Sequence, residues 1–134
     1  MKNYIKDKNV LGVFSDSSGA KAVLSYLNLF QSTSNKIIIM TNKFDSFYNE
    51  FELDIIKIKD YEHVKIPDEI DILVTGTSLP SNIELEFIKQ SKLKNIFSIS
   101  FVDHWTNLKL RFQIDRERIY PNKIVVIDKN AKEI

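Results

Sequence analysis

Asn9-Val10-Leu11-Gly12-Val13-Phe14-Ser15-Asp16-Ser17-Ser18-Gly19-Ala20 is the stretch that decides the fold of this chain. Asn9–Ser15 is a short apolar run with one glycine, which predicts a buried strand. Gly19 then opens a helix, because Ala20, Val23, Leu24, Leu27 and Phe30 recur at helical spacing. Lys36–Thr41 (KIIIMT) follows as a second strand, continuous and β-branched, as strands buried on both faces tend to be. Strand, polar turn, helix and buried strand in that order are the opening of a parallel α/β sheet.

The pattern continues along the chain. Lys43–Phe51 reads as a short helix with Phe44, Phe47, Tyr48 and Phe51 on one side, most simply core. Asp54–Lys59 (DIIKIK) is a third, more polar strand, expected towards an edge. Asp60–Ile70, with Pro67, is a connection. Asp71–Thr75 (DILVT) is a fourth strand, and its helix starts after Pro80, where Ser81 and Glu84 have capping-box spacing and Ile83, Phe87 and Ile88 form an apolar face. Asn95–Val102 (NIFSISFV) is a fifth strand. Thr106–Arg118 is amphipathic and expected to be helical in part. Lys123–Asp128 (KIVVID) is a sixth strand, and Asn130–Ile134 reads as the first turn of a further helix.

Alternating strands and helices predict one α/β domain over residues 1–134, with three α/β/α layers and a mostly parallel sheet. Right-handed crossovers and the usual double winding give the strand order 3-2-1-4-5-6. The sheet order then reverses between the first and fourth strands, and ligands of such sheets bind beyond the carboxyl ends of the strands at that point.

Composition narrows the function classes. In 134 residues, 43% are hydrophobic and 28% charged, which is ordinary for a globular chain. Nineteen Lys and Arg against 18 acids leave a net charge of +1, too little to recruit nucleic acid or an anionic membrane. No basic stripe or interleaved aromatic platform points to nucleic acid either. The absence of cysteine excludes thiolate catalysis, disulfides and cysteine-held metal. The charged N-terminus has no apolar stretch behind it long enough for a signal peptide, and no segment approaches the roughly 20 apolar residues of a membrane span. A cytoplasmic location is the expectation.

Three polar turns follow predicted strands. In the first, Asp16, Ser17, Ser18 and Gly19 have the chemistry of an anion site, with hydroxyl donors and a glycine that lets backbone approach a ligand. The same residues are what an ordinary helix start requires. In the second, Gly76, Thr77 and Ser78 offer hydroxyls to a sugar or phosphate, or begin the next helix. The third, Asp103-His104-Trp105, joins an acid, a base and the only tryptophan at the end of a buried strand. Asp103 and His104 are candidates for acid–base chemistry, and Trp105 is either a stacking platform or core. Arg111 is a candidate phosphate ligand; Arg116-Glu117-Arg118 reads as a solvated turn. A Gly-x-Gly-x-x-Gly fingerprint and a Gly-Lys-Ser/Thr phosphate loop are both missing, so no cofactor is implied. His63, the only other histidine, lies in a different connection, and no metal site is implied.

Phe101-Val102-Asp103-His104-Trp105-Thr106-Asn107 with Arg111-Phe112, then Pro121–Asp128 and Ala131-Lys132, resembles bacterial glycosyltransferase-like and sugar-nucleotide-epimerase-like proteins, in the N-terminal Rossmann-like half of their two-domain fold. The Gly12–Gly19 stretch fits the same half. The resemblance implies sugar metabolism, such as surface-polysaccharide biosynthesis, and a sugar, sugar phosphate or nucleotide sugar as ligand. Ser17, Ser18, Gly19, Gly76, Thr77, Ser78 and Trp105 would then bind it, Arg111 would hold phosphate, and Asp103, His104 and Asp16 would carry the acid–base chemistry. In the two-domain fold the second half supplies most nucleotide-sugar contacts. A chain stopping at Ile134 would therefore work with a partner subunit, perform smaller chemistry, or be one domain of a longer protein. A non-catalytic subunit and a small-molecule-binding regulatory module stand as alternatives.

Overall fold

A central parallel strand, β1 (Asn9–Phe14), organises the sheet. The structure is a computed structural model and describes residues 2–43, 46–77, 83–102, 112–114, 117–126 and 132–133. On one side β1 pairs with β2 (Lys36–Thr41), which pairs with the short edge strand β3 (Ile55–Lys57). On its other side β1 pairs with β4 (Ile72–Thr75), which is followed by β5 (Phe97–Val102). Gln113–Ile114 (β6) and Glu117–Arg118 (β7) form a separate two-stranded antiparallel sheet. β8 (Lys123–Val126) returns parallel to β5, and β9 (Lys132–Glu133) adds an antiparallel edge. The order is β3-β2-β1-β4-β5-β8-β9. With β8 as the sixth predicted strand, this is the doubly wound order expected from the sequence, extended by β9.

Two helices cover opposite faces. Helix α1 (Ser17–Phe30) buries Ala20, Val23, Leu24 and Leu27 over Val10, Phe14, Val74, Ile99 and Phe101. Helix α2 (Ile83–Leu93) buries Ile83, Phe87 and Ile88 over the alternate residues Leu11, Val13, Leu73 and Val102. Side chains alternate across each strand, so one continuous apolar run supplies both cores. The result is the three-layer α/β/α arrangement. Tyr26, on the buried face of α1, also fastens the N-terminal segment: its hydroxyl donates to Lys2 O (2.9 Å) and accepts from Tyr4 N (2.8 Å).

Several local expectations change. Helix α1 starts at Ser17 rather than Gly19, because Asp16 stays extended (φ −115°, ψ 171°) and caps it. Lys43–Phe51 becomes a 3-10 turn over Ser46–Glu50 that buries Tyr48 edge-on against Phe14, ring centroids 5.2 Å apart. The last part of Thr106–Arg118 is the β6–β7 hairpin and not helix, while residues 103–111 lie outside the described set. The C-terminal segment pairs as β9 instead of starting a helix. A single turn fixes many dihedrals for few hydrogen bonds, whereas β8 presents an edge ready to pair. Helix α2 ends at a left-handed Asn95 (φ 56°), and Ile96 N bonds Ser91 O at 2.8 Å to close the turn.

Candidate functional site

The turns after β1 and β4 meet at the reversal of strand order, and they meet through their glycines. A Cβ built on Gly76 would lie 2.6 Å from Gly19 Cα and 3.0 Å from Gly19 C. Neither glycine has a positive φ. These positions are glycine because two backbones touch there, not because a tight turn needs unusual dihedrals. The approach foreseen between a glycine and a ligand is, at this point, an approach between the two turns.

Asp16 holds the first turn. Its Oδ1 accepts from Gly19 N at 2.7 Å, and its carbonyl accepts from Ala20 N at 2.9 Å. Asp16 is thus the helix cap. Ser17 and Ser18 are exposed. They line a cleft of about 420 Å³ together with Lys21, Glu50 and Phe51. That volume lies in the range of small-molecule sites. The cleft runs between the start of α1 and the turn after β2, so it stands at the carboxyl ends of β1 and β2.

The second turn is drawn inward. Thr77 is buried and its Oγ1 donates to Phe101 O at 3.3 Å, which links the end of β4 to the end of β5. One layer below, the Thr75 and Ser100 hydroxyls share a buried hydrogen bond of 2.6 Å. Ser15 is also buried and, by alternation, shares the α2 face of the sheet with Thr75, Thr77 and Ser100. The carboxyl end of this face is consequently hydroxyl-rich. Asn42, just past β2, adds a buried Oδ1 with no hydrogen-bond partner among the described residues.

Of the residues expected at the site, Asp16, Ser17, Ser18, Gly19, Gly76 and Thr77 are brought to one edge of the sheet. Ser78, Asp103, His104, Trp105 and Arg111 lie outside the described residues. Sequence reasoning missed Lys21, Glu50 and Phe51. Lys21 was within reach, since it falls three and four positions after Ser18 and Ser17 on one helix face. Glu50 and Phe51 come from another connection, and no local pattern announces them. Glu84 was read as half of a capping box; it is 2% exposed in the first turn of α2.

The second charged feature is a surface pair. His63 Nδ1 lies 2.8 Å from Asp60 Oδ2, and that hydrogen bond, followed by the carboxylate charge, raises the imidazole above its ordinary value of 6.5. Its side chain is 79% exposed, so this is a solvated pair. No group of three or more metal-ligating side chains occurs among the described residues. No helix among them is long and apolar enough to cross a membrane.

Fold and site together define a doubly wound, Rossmann-like α/β domain with a polar cleft at the carboxyl end of its sheet. No protein-family model matches the chain, and no curated protein or solved structure matches it.

Proposed function

We propose that this chain is a glycosyltransferase-like domain that binds a sugar, sugar phosphate or nucleotide sugar, with a role in bacterial surface-glycan or related sugar metabolism. The observation that carries the reading is the ligand-sized cleft lined by Ser17 and Ser18 beside the reversal of strand order. The Asp103-His104-Trp105 segment, through its resemblance to sugar-handling proteins, selects the ligand class. Ser17, Ser18 and Ser78 supply hydroxyls to the ligand, Trp105 packs on its ring and Arg111 binds phosphate. Asp103 or His104 removes a proton from a hydroxyl or sugar carbon. Asp16 has given one oxygen to the helix cap, which leaves the other for a ligand hydroxyl.

The test is thermal stabilisation against sugars, sugar phosphates, nucleotides and nucleotide sugars. A ligand at about 100 times its dissociation constant adds roughly 2.7 kcal/mol, a clear shift of the melt. With a ligand in hand, Asp103→Asn and His104→Ala are expected to abolish turnover. Two variants that both bind and turn over like the parent would refute the acid–base assignment.

A second reading, a subunit that completes a partner's site, is favoured by one surface. Leu93 is 80% exposed and shares a groove with Lys89, Lys92, Arg118 and Tyr120, next to exposed Phe97. Stable copurification with a companion protein, lost in Leu93→Glu, would favour it over autonomous action.

A further inference from the structure

We infer that the cleft beside α1 takes a ring compound bearing phosphate, with Lys21 as a further phosphate cation beyond Arg111 and Phe51 as a further wall for a ring. This deepens the sugar-binding reading and rests on it. The cleft has two chemically different walls. On one, Ser17, Ser18 and Lys21 fall at i, i+1 and i+4 of α1, and helical side chains lean back towards the N-terminus. Lys21 is thus one turn along the same helix face as the serines and lines the same cleft. An ammonium and two hydroxyls are the donor set a tetrahedral oxyanion needs. The backbone contributes less, because Asp16 already takes the Gly19 and Ala20 N–H groups.

The facing wall is Glu50 and Phe51. Phe51 is half-buried with its side chain packed against the α1-side core, and its backbone N–H is bonded to Tyr48 O at 3.1 Å. Glu50 ends the 3-10 turn beside it. Among the described residues neither Lys21 nor Glu50 belongs to an ion pair, although both line one cleft. A cation and an anion lining one cleft orient a polar guest: its phosphate goes to Lys21 and its hydroxyls donate to Glu50. A sugar or nucleoside has the matching shape, with an apolar ring face for Phe51 and hydroxyls along its edge.

The experiment is calorimetric titration of the full chain with uridine, uridine diphosphate, glucose 1-phosphate and uridine diphosphate glucose. The phosphate-bearing compounds are expected to bind more tightly than uridine. Lys21→Ala should raise their dissociation constants about tenfold or more, as loss of a charge-assisted hydrogen bond does. Lys21→Arg should retain most of the affinity, and Lys89→Ala, in a different groove, should change nothing. Both lysines are surface residues, so equal melting temperatures establish that the variants fold. If the parent binds and Lys21→Ala leaves affinity unchanged, the inference is overturned while the sugar-binding reading stands. An equal loss for uridine and for the phosphates overturns the phosphate assignment. If the parent binds none of the four, both the inference and the reading beneath it fall.

Discussion

Gly76→Ala is expected to be the most damaging single-methyl addition at a glycine of this chain. The new Cβ would sit 2.6 Å from Gly19 Cα, 3.0 Å from its carbonyl carbon and 3.1 Å from its oxygen. Carbon atoms pack comfortably at about 3.5–4.0 Å, so the two turns must separate by roughly 1 Å. All three obstructing atoms are backbone, and no rotamer change moves them. Gly76 N is bonded to Val13 O at 3.1 Å, and Gly19 N is bonded to the Asp16 cap, so both sides are anchored. Overpacking of this kind costs about 1–3 kcal/mol, and rigid backbone on both sides puts the expected value near 3 kcal/mol. At about 2.1 cal/mol/K per residue, a chain of 134 residues loses roughly 10 °C of melting temperature for that cost. Gly12→Ala is the control. Its Cβ would be as close as 2.9 Å, but to Leu27 Cδ1, the tip of a side chain that can rotate, so about 1 kcal/mol is expected. The assay is urea unfolding followed by circular dichroism, with equal slopes required for comparison. A cost for Gly76→Ala below about 0.5 kcal/mol, or below that of Gly12→Ala, would refute the backbone-contact argument.

Other perturbations separate structure from chemistry. Thr75→Val should cost about 1–3 kcal/mol by leaving the buried Ser100 hydroxyl without its 2.6 Å partner, and Thr75→Val with Ser100→Ala should recover part of it; equal costs in a denaturation series would deny the coupling. Asp16→Ala should lower stability by about 1 kcal/mol through loss of the cap, whereas Asp16→Asn should retain the cap. If Asp16→Asn keeps stability but loses ligand turnover, the carboxylate has a chemical role beyond capping. Because Asp60 raises His63, the proton-linked stabilisation of that pair is present below the unfolded-state value of about 6.5 and is lost as pH rises through the folded value. Proton-detected titration should place the His63 midpoint above that of a free imidazole, and Asp60→Asn should bring it down; no change on substitution would deny the hydrogen bond as cause.

Legibility in the sequence followed how local each cause was. The buried strands were readable because continuous runs such as Lys36–Thr41 and Asp71–Thr75 suit strands covered on both faces. Helix α1 was readable from its apolar spacing, but its start was set two residues late. Gly19 permits a turn and so resembles an opening residue, but Asp16 has the side chain that caps a helix starting at Ser17. The β6–β7 hairpin and β9 were missed because their partners, and not their own two-residue patterns, create them. At the site, the serines and glycines of the strand-end turns were identified by type. Their division of labour was not: Ser17 and Ser18 face a cleft, while Gly19 and Gly76 face each other.

The sequence by itself determined the class of fold and the order of its central strands. Hydrophobic periodicity marks which residues must leave water, and the handedness of parallel crossovers leaves few ways to arrange them. Only the tertiary structure decided what the polar turns do. Phe51 and Glu50 reach Ser17, Ser18 and Lys21 across more than twenty-five residues of chain. Gly76 meets Gly19 across a longer gap, 57 residues of chain. Such contacts depend on how α1 and the β2–β3 connection pack against one sheet, a distance in space that no local spacing of residues encodes.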